Sequence, residues 1–135
     1  MKSVSVFAAA LLLSVASVQA QSVTRARGGD VLESYTAYIG KNDLYNSRGE
    51  RLTQPWQVIR QDRANYHVFH IRDRGDEGDD FFSDANNRER LERMVANGSI
   101  SRQAGNMLLQ GDCWVKVQII SRGQSDSYVD VEVWR

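Results

Sequence analysis

The C-terminal segment of the chain, from Cys113 onward, alternates between apolar and polar residues with a period of two. Every second residue of 113–119 is Cys, Val or Ile, with Trp114, Lys116 and Gln118 between them. The pattern returns at residues 129–133, after the polar segment 123–127. A period of two places alternate side chains on opposite faces of a strand. The sequence therefore predicts a β-hairpin with one apolar face, and that face must be covered.

A further strand and several helices complete the predicted fold. Residues 32–39 are rich in aromatic and β-branched side chains and end at Gly40, which predicts a strand. Because a hairpin alone is marginal in water, we expect this strand to join it and helices to cover the apolar face. Helices are predicted from about Gln54 to about Phe69, from Ser83 or Asp84 to Asn97, and from Ser99 or Ser101 to Gly111. The prediction is an α+β domain with a small antiparallel sheet packed against about three helices.

The first twenty residues predict export. An almost unbroken apolar run, residues 4–18, follows Lys2 and leads into Val18-Gln19-Ala20, a small-residue pattern that signal peptidase accepts. The run is shorter than the ~20 residues that cross a bilayer, which favours a cleaved signal peptide over an uncleaved membrane anchor. No later segment is apolar enough to span. We therefore expect a signal peptide (1–20), a flexible leader (21–30) and one domain (31–135), located in the periplasm or the medium.

Charge and cysteine content exclude some classes of function. Lys2 is one of seventeen basic residues, so the mature chain would keep sixteen against seventeen acidic ones. This balance argues against nucleic-acid binding, which requires a basic excess. Cys113 is the single cysteine, so no intramolecular disulfide can form. Its position in an apolar alternation predicts a small buried side chain rather than a nucleophile.

The first predicted helix, with Thr53 as its cap, carries charges on its apolar side. At 100° per residue one arc contains Trp56, Val58, Ile59, Tyr66 and Phe69, together with Asp62, Arg63 and His70. A buried charge must be paired, because desolvation costs several kcal/mol. One interpretation is a structural ion network that fixes the helix to a neighbouring loop. The other is a polar cleft that binds a ligand, formed by Asp62, Arg63, His67 and His70.

The two histidines allow two chemical roles. His67 and His70 are spaced i, i+3, which places them on one side of a helix and would allow metal binding with a third ligand such as Asp73 or Asp76. Alternatively, either histidine is an acid/base catalyst of a hydrolase, oriented by Asp62 or Asp73, with Arg63 holding an anionic group. Surface or capping histidines explain the same spacing without any site.

The segment that follows is strongly acidic. Residues 73–80 contain five acidic residues and two glycines. Clustered carboxylates on flexible backbone suit Ca²⁺, and the candidate ligands are Asp73, Asp76, Asp79 and Asp80. The spacing does not match an EF-hand loop. An acidic turn that favours the N-terminus of the next helix explains the composition without an ion.

Part of the chain resembles a group of small exported bacterial proteins. The resemblance rests on residues 46–52 (NSRGERL), 59–67 (IRQDRANYH), Arg72-Asp73 and Phe81-Phe82. It implies a bacterial, extracytoplasmic setting and carries over no activity, cofactor or catalytic residue. With no catalytic motif, we expect a binding or interaction module whose partner is an envelope or extracellular protein or a small ligand. A hydrolase and a structural calcium-binding loop are the alternatives, and no cofactor other than calcium is expected.

Overall fold

A computed structural model describes residues 29–135 of the protein. The predicted signal peptide and most of the predicted leader lie outside the described residues. The elements are, in chain order, β1 (Val31–Ile39), α1 (Pro55–Ala64), α2 (Ala85–Glu89), α3 (Leu91–Asn97), α4 (Arg102–Gln110), β2 (Cys113–Arg122) and β3 (Asp126–Trp134). A π-helical turn, Asn65–Phe69, extends α1, and short 3-10 turns occupy Lys41–Leu44 and Phe81–Ser83.

The sheet has three antiparallel strands in the order β1-β2-β3. The C-terminal hairpin pairs Val117 with Val131, and β1 joins the other side of β2, where Tyr35 lies opposite Val117. Three helices of seven or more residues pack on one face of this sheet. The predicted α+β architecture, with an N-terminal strand and a C-terminal hairpin, is confirmed.

The core lies between the sheet and the helices. Alternate residues of the strands point into it, as the period of two predicts, and α1, α3 and α4 each contribute buried apolar residues. Its members include Tyr35, Ala37, Ile39, Val58, Ile59, Phe82, Leu91, Met94, Leu108, Val115, Val117, Ile119 and Val129. Cys113 is also buried there as a free thiol, in agreement with its predicted role. Burial raises the pKa of this thiol, which keeps it in its unreactive protonated form.

The first helix differs from its prediction at both ends. Gln54, not Thr53, precedes the first turn, and the Gln57 side chain accepts the backbone N–H groups of both residues. After Ala64 the helix widens into the π turn. A π turn holds more residues than an α turn, so it rotates the following side chains away from the predicted arc. Phe69, predicted to face the core, is therefore 50% exposed.

The second predicted helix is divided in two. Asp84 caps it as predicted, through its carboxylate and the N–H of Asn86, but the chain leaves regular helix geometry at Arg90 between α2 and α3. The third predicted helix is α4, capped by the Ser101 hydroxyl and ended at Gly111.

No helix within residues 29–135 is both long and apolar enough to cross a membrane.

The two edges of the sheet are covered differently. Along β1, the backbone N–H of Glu77 donates to the carbonyl of Thr36 (2.8 Å), and the Glu77 carboxylate accepts the N–H of Thr36 (2.7 Å). The Asp76 carboxylate accepts the N–H of Tyr38 (2.8 Å). We call residues 73–80 the acidic strap. Along β3, Ser99 is the one residue of 29–135 that pairs with the edge, in a parallel bridge.

The contact between Gly98 and β3 generates a stability prediction. A Cβ on Gly98 would collide with the carbonyl oxygen of Val129, a backbone atom that cannot move without disturbing the sheet. Gly98→Ala should therefore lower the free energy of unfolding by about 2–4 kcal/mol, measured by urea denaturation. Gly49→Asn is the control, because Gly49 has a positive φ of 79° and open space around it. Equal losses in both variants would contradict the proposed steric cause.

Candidate functional site

A buried arginine forms the centre of the polar cluster on α1. The Arg63 side chain has no exposed surface. Its Nε donates to Oδ2 of Asp62 (2.8 Å), and its Nη1 donates to Oδ1 of Asp79 (2.9 Å) and to the backbone carbonyl of Glu77 (3.0 Å). The guanidinium thus joins α1 to the C-terminal end of the acidic strap.

Asp79 connects four parts of the chain. Besides Arg63, its Oδ1 lies 2.9 Å from Nε2 of His67, whose side chain is 13% exposed and is the most exposed of the four side chains joined here. Its Oδ2 accepts the backbone N–H of Phe82, which fixes the 3-10 turn that follows the strap. We call Asp62, Arg63, His67 and Asp79 the arginine network.

Aromatic rings enclose the guanidinium. The Cζ atom of Arg63 lies 3.9 Å from the ring centroid of Tyr35 on β1 and 4.9 Å from that of Tyr66 on the π turn. Desolvated cation–π contacts of this kind are stabilising. Among the described residues, neither Nη2 of Arg63 nor the hydroxyl of Tyr35 has a hydrogen-bond partner. The two rings therefore enclose the guanidinium, and two polar groups inside this enclosure lack a hydrogen bond.

Burial controls the protonation of this region. It raises the pKa of Asp62 to about 8, although the Arg63 charge acts in the opposite direction. Burial likewise raises the pKa of the Tyr35 hydroxyl well above its usual value. Burial therefore opposes ionisation of both Asp62 and Tyr35, whereas the neighbouring Arg63 charge favours it. The guanidinium of Arg63 lies within ion-pair distance of both Asp62 (2.8 Å) and Asp79 (2.9 Å).

A second polar cluster, which the sequence did not predict, lies beside the π turn. Asn65 is buried, and its Nδ2 donates to Oδ1 of Asp43 (2.9 Å) and to the carbonyl of Asn42 (3.2 Å). The other oxygen of Asp43 accepts the N–H of Gly40 (3.0 Å). Burial raises the pKa of Asp43 to about 6. The cluster joins the π turn to the end of β1.

The four proposed calcium ligands do not share one site. Asp79 belongs to the arginine network, and Asp80 is exposed, with its backbone N–H bonded to Glu33. Asp76 accepts the N–H groups of Tyr38 and Asp73 (both 2.8 Å). Asp73 lies against Gly40. Within residues 29–135 no three His, Cys, Asp or Glu side chains are arranged to hold a metal ion.

The two histidines are also separated. His67 points to Asp79, whereas His70 ends the π turn in the left-handed conformation (φ 54°) and is exposed. Of the residues of the predicted cleft, the structure joins Asp62, Arg63 and His67 in one network through Asp79 and leaves His70 at the surface. Arg63 has no surface with which to hold an anionic group, and the residue that orients His67 is Asp79.

The accessible surface near these residues is a groove beside the π turn. It has a volume of about 360 Å³ and is lined by Lys41, Asn42, Tyr45, Asn46, Ser47, Gln61, Asn65, Phe69 and Ile71. Phe69 and Ile71 are 50% and 44% exposed, and Val68 beside them is 50% exposed. We call Val68, Phe69 and Ile71 the apolar patch. Sequence reasoning missed it, because a regular helix would have placed Phe69 in the core.

The buried carboxyls predict a pH dependence of stability. A carboxyl whose pKa is higher in the folded protein than in the unfolded chain takes up a proton on folding. Its stabilisation is complete below the unfolded value of about 4 and is lost as the pH rises to the folded value. The free energy of unfolding should therefore fall by about 1–3 kcal/mol between pH 5 and pH 8.5, mainly through Asp62.

Asp62→Asn tests this assignment. The amide oxygen still accepts from Arg63 Nε and no longer titrates, so urea denaturation should show a smaller fall across the same pH range. Asp80→Asn is the control, because Asp80 is exposed. A wild-type stability that rises over this range, or an unchanged slope in Asp62→Asn, would contradict the assignment.

Replacing each histidine in turn distinguishes the residue in the arginine network, His67, from the surface residue, His70. His67→Ala should lower the free energy of unfolding by about 1–3 kcal/mol, because it leaves the buried carboxylate of Asp79 with one partner fewer. His70→Gly should be neutral or stabilising, because glycine accepts the left-handed conformation without strain. Thermal unfolding followed by tryptophan fluorescence measures both. A neutral His67→Ala would show that its hydrogen bond contributes nothing to the fold.

No protein-family model, no curated protein and no solved structure matches the chain. Its function therefore has to be inferred from its own geometry. Of the predicted catalytic and ligand-binding residues, Asp62, Arg63 and His67 join secondary elements to one another, and His70 is exposed. The open surface lies one turn further along the chain, at the apolar patch.

Proposed function

We propose that this protein is an exported binding module of the bacterial envelope or medium, and that the apolar patch and its groove contact the partner. The observation that carries the proposal is the exposure of Val68, Phe69 and Ile71 beside a concave surface. Large side chains that remain exposed as a contiguous group are typical of interaction sites.

The composition of the groove indicates how a partner would be held. Tyr45, Phe69 and Ile71 supply apolar contact, and the amides of Asn42, Asn46, Gln61 and Asn65 lie among them. Apolar anchors with a few polar groups that fix orientation are typical of binding sites. Asn65 is held rigidly by Asp43 and Gln61, so one wall of the groove is preorganised.

The hydrolase alternative needs an oriented histidine, and of His67 and His70 only His67 is hydrogen-bonded to a carboxylate within residues 29–135. His67 with Asp79 has the geometry of an oriented general base, but most of its side chain is covered. Asp62 and Arg63 are buried and paired with each other. A substrate would therefore have to approach through the small exposed part of one imidazole. The binding proposal requires no such opening, and we favour it for that reason.

Site-specific photocrosslinking tests the proposal. The protein, produced in its source bacterium with a benzophenone amino acid at Phe69, should yield a discrete adduct upon irradiation. Ile71→Ser in the same protein should reduce the adduct, because it removes a neighbouring contact. The same amino acid at Arg93, exposed on α3, is the positional control. An adduct pattern at Phe69 identical to that at Arg93 would contradict the proposal.

A further inference from the structure

The two edge strands of the sheet are covered by different parts of the chain. Outward-facing N–H and C=O groups of an edge strand can pair with any further strand unless something covers them. On β1 these groups recur at every second residue, and the acidic strap bonds to both groups of Thr36 and to the N–H of Tyr38. The β1 edge is closed over this length.

The β3 edge is closed only in part. Ser99 donates its N–H to the carbonyl of Val129 (3.1 Å) and accepts the N–H of Val131 (2.8 Å). This is one step of a parallel ladder. The next step would bridge the carbonyl of Val131 and the N–H of Val133, because outward-facing groups recur at every second residue. Ser101 would have to supply that step, but it caps α4 instead.

The unpaired step therefore has no partner within the described part of the chain. No backbone or side-chain group of residues 29–135 bonds to the Val131 carbonyl or the Val133 N–H on this side. Chain geometry causes the gap, since the segment that begins the ladder turns away at Ile100 to start a helix. The sheet is left with a donor and an acceptor at the spacing of an extended backbone.

A groove runs beside this gap. Its volume is about 380 Å³, and it is lined by Ser99, Ser101, Gln103, Ala104, Met107, Val131, Glu132 and Val133. One wall is α4 and the other is β3. The apolar side chains of Ala104, Met107 and Val133 offer contact to an incoming side chain, and hydroxyl and amide groups surround them. This is the arrangement of an edge strand next to a helix that accepts a peptide as an added strand.

We infer that the groove between β3 and α4 binds an extended polypeptide segment, which continues the parallel ladder begun by Ser99. The unpaired groups determine the class of ligand. An extended main chain offers a C=O and an N–H at the spacing of the Val133 N–H and the Val131 C=O. One apolar side chain of the segment enters the groove toward Met107. The site is distinct from the apolar patch and does not depend on it.

Val133→Pro tests the inference. Proline removes the N–H that a peptide would use and places its ring in the path of an added strand. Proline is tolerated on edge strands where the N–H points outward, so the fold should persist. Val133→Thr is the matched control, because it keeps both the N–H and a β-branched side chain. Thermal unfolding of each variant checks that the domain remains folded.

The probe is a phage-displayed library of random nonapeptides, panned on the purified wild-type protein. Synthetic copies of the enriched peptides should bind the wild type and Val133→Thr equally, and bind Val133→Pro about tenfold or more weakly. Peptide binding should also slow hydrogen exchange of the Val133 amide in the wild type. Binding to Phe69→Ser should be unchanged, which separates this inference from the proposed function.

Three results would overturn the inference. The first is equal peptide binding by Val133→Pro and the wild type. The second is the absence of any enriched peptide that protects the Val133 amide, a measurement on the wild type that does not depend on the variant's folding. The third is concentration-dependent dimerisation that Val133→Pro abolishes without any peptide binding. That result would assign the edge to a second copy of the chain.

Discussion

The position of the acidic strap depends on one buried guanidinium. Arg63 bonds to Asp62 on its own helix and to Asp79 and the Glu77 carbonyl on the strap. Removing one partner of a buried ion pair costs far more than the pair contributes, because it leaves a charge without compensation. Glu77 and its neighbour Asp76 are the residues that close the β1 edge. The buried charge on α1 thus determines whether that edge stays covered.

The same network shows why charge on a core-facing helix surface is ambiguous as a functional signal. An arginine, two aspartates and a histidine within hydrogen-bonding distance would suit an active site or an ion network equally well. Exposure distinguishes the two. Arg63 is fully buried beneath Tyr35, and Asp62 is almost fully buried. Of the residues in this network, His67 has the most exposed side chain. A ligand cannot reach groups that are already bonded to one another inside the core.

Much of the fold could be predicted from sequence because the strands and helices follow regular periods. The alternation in residues 113–133 predicted the hairpin, and the phase of α1 predicted that Asp62 and Arg63 face inward. Asp79 could not be identified as their partner, because a loop has no period that relates it to a helix. The acidic composition of the strap suggested a cation, whereas its actual partners include backbone N–H groups of β1, which no side-chain pattern reveals.

The π turn, which the sequence did not predict, and the start of α4, which it did, both produce open surfaces. A single widened turn moves Phe69 from the core to the surface. The capping of α4 by Ser101 takes the chain away from β3 one step before its ladder is complete. Exposed aromatic rings and unpaired edge groups both favour unwanted association. On β1 the chain closes the equivalent edge with two carboxylates, so the fold has the means to cover such groups. The proposed partner contact at Phe69 and the proposed peptide pairing at Val133 would each cover one of these open surfaces.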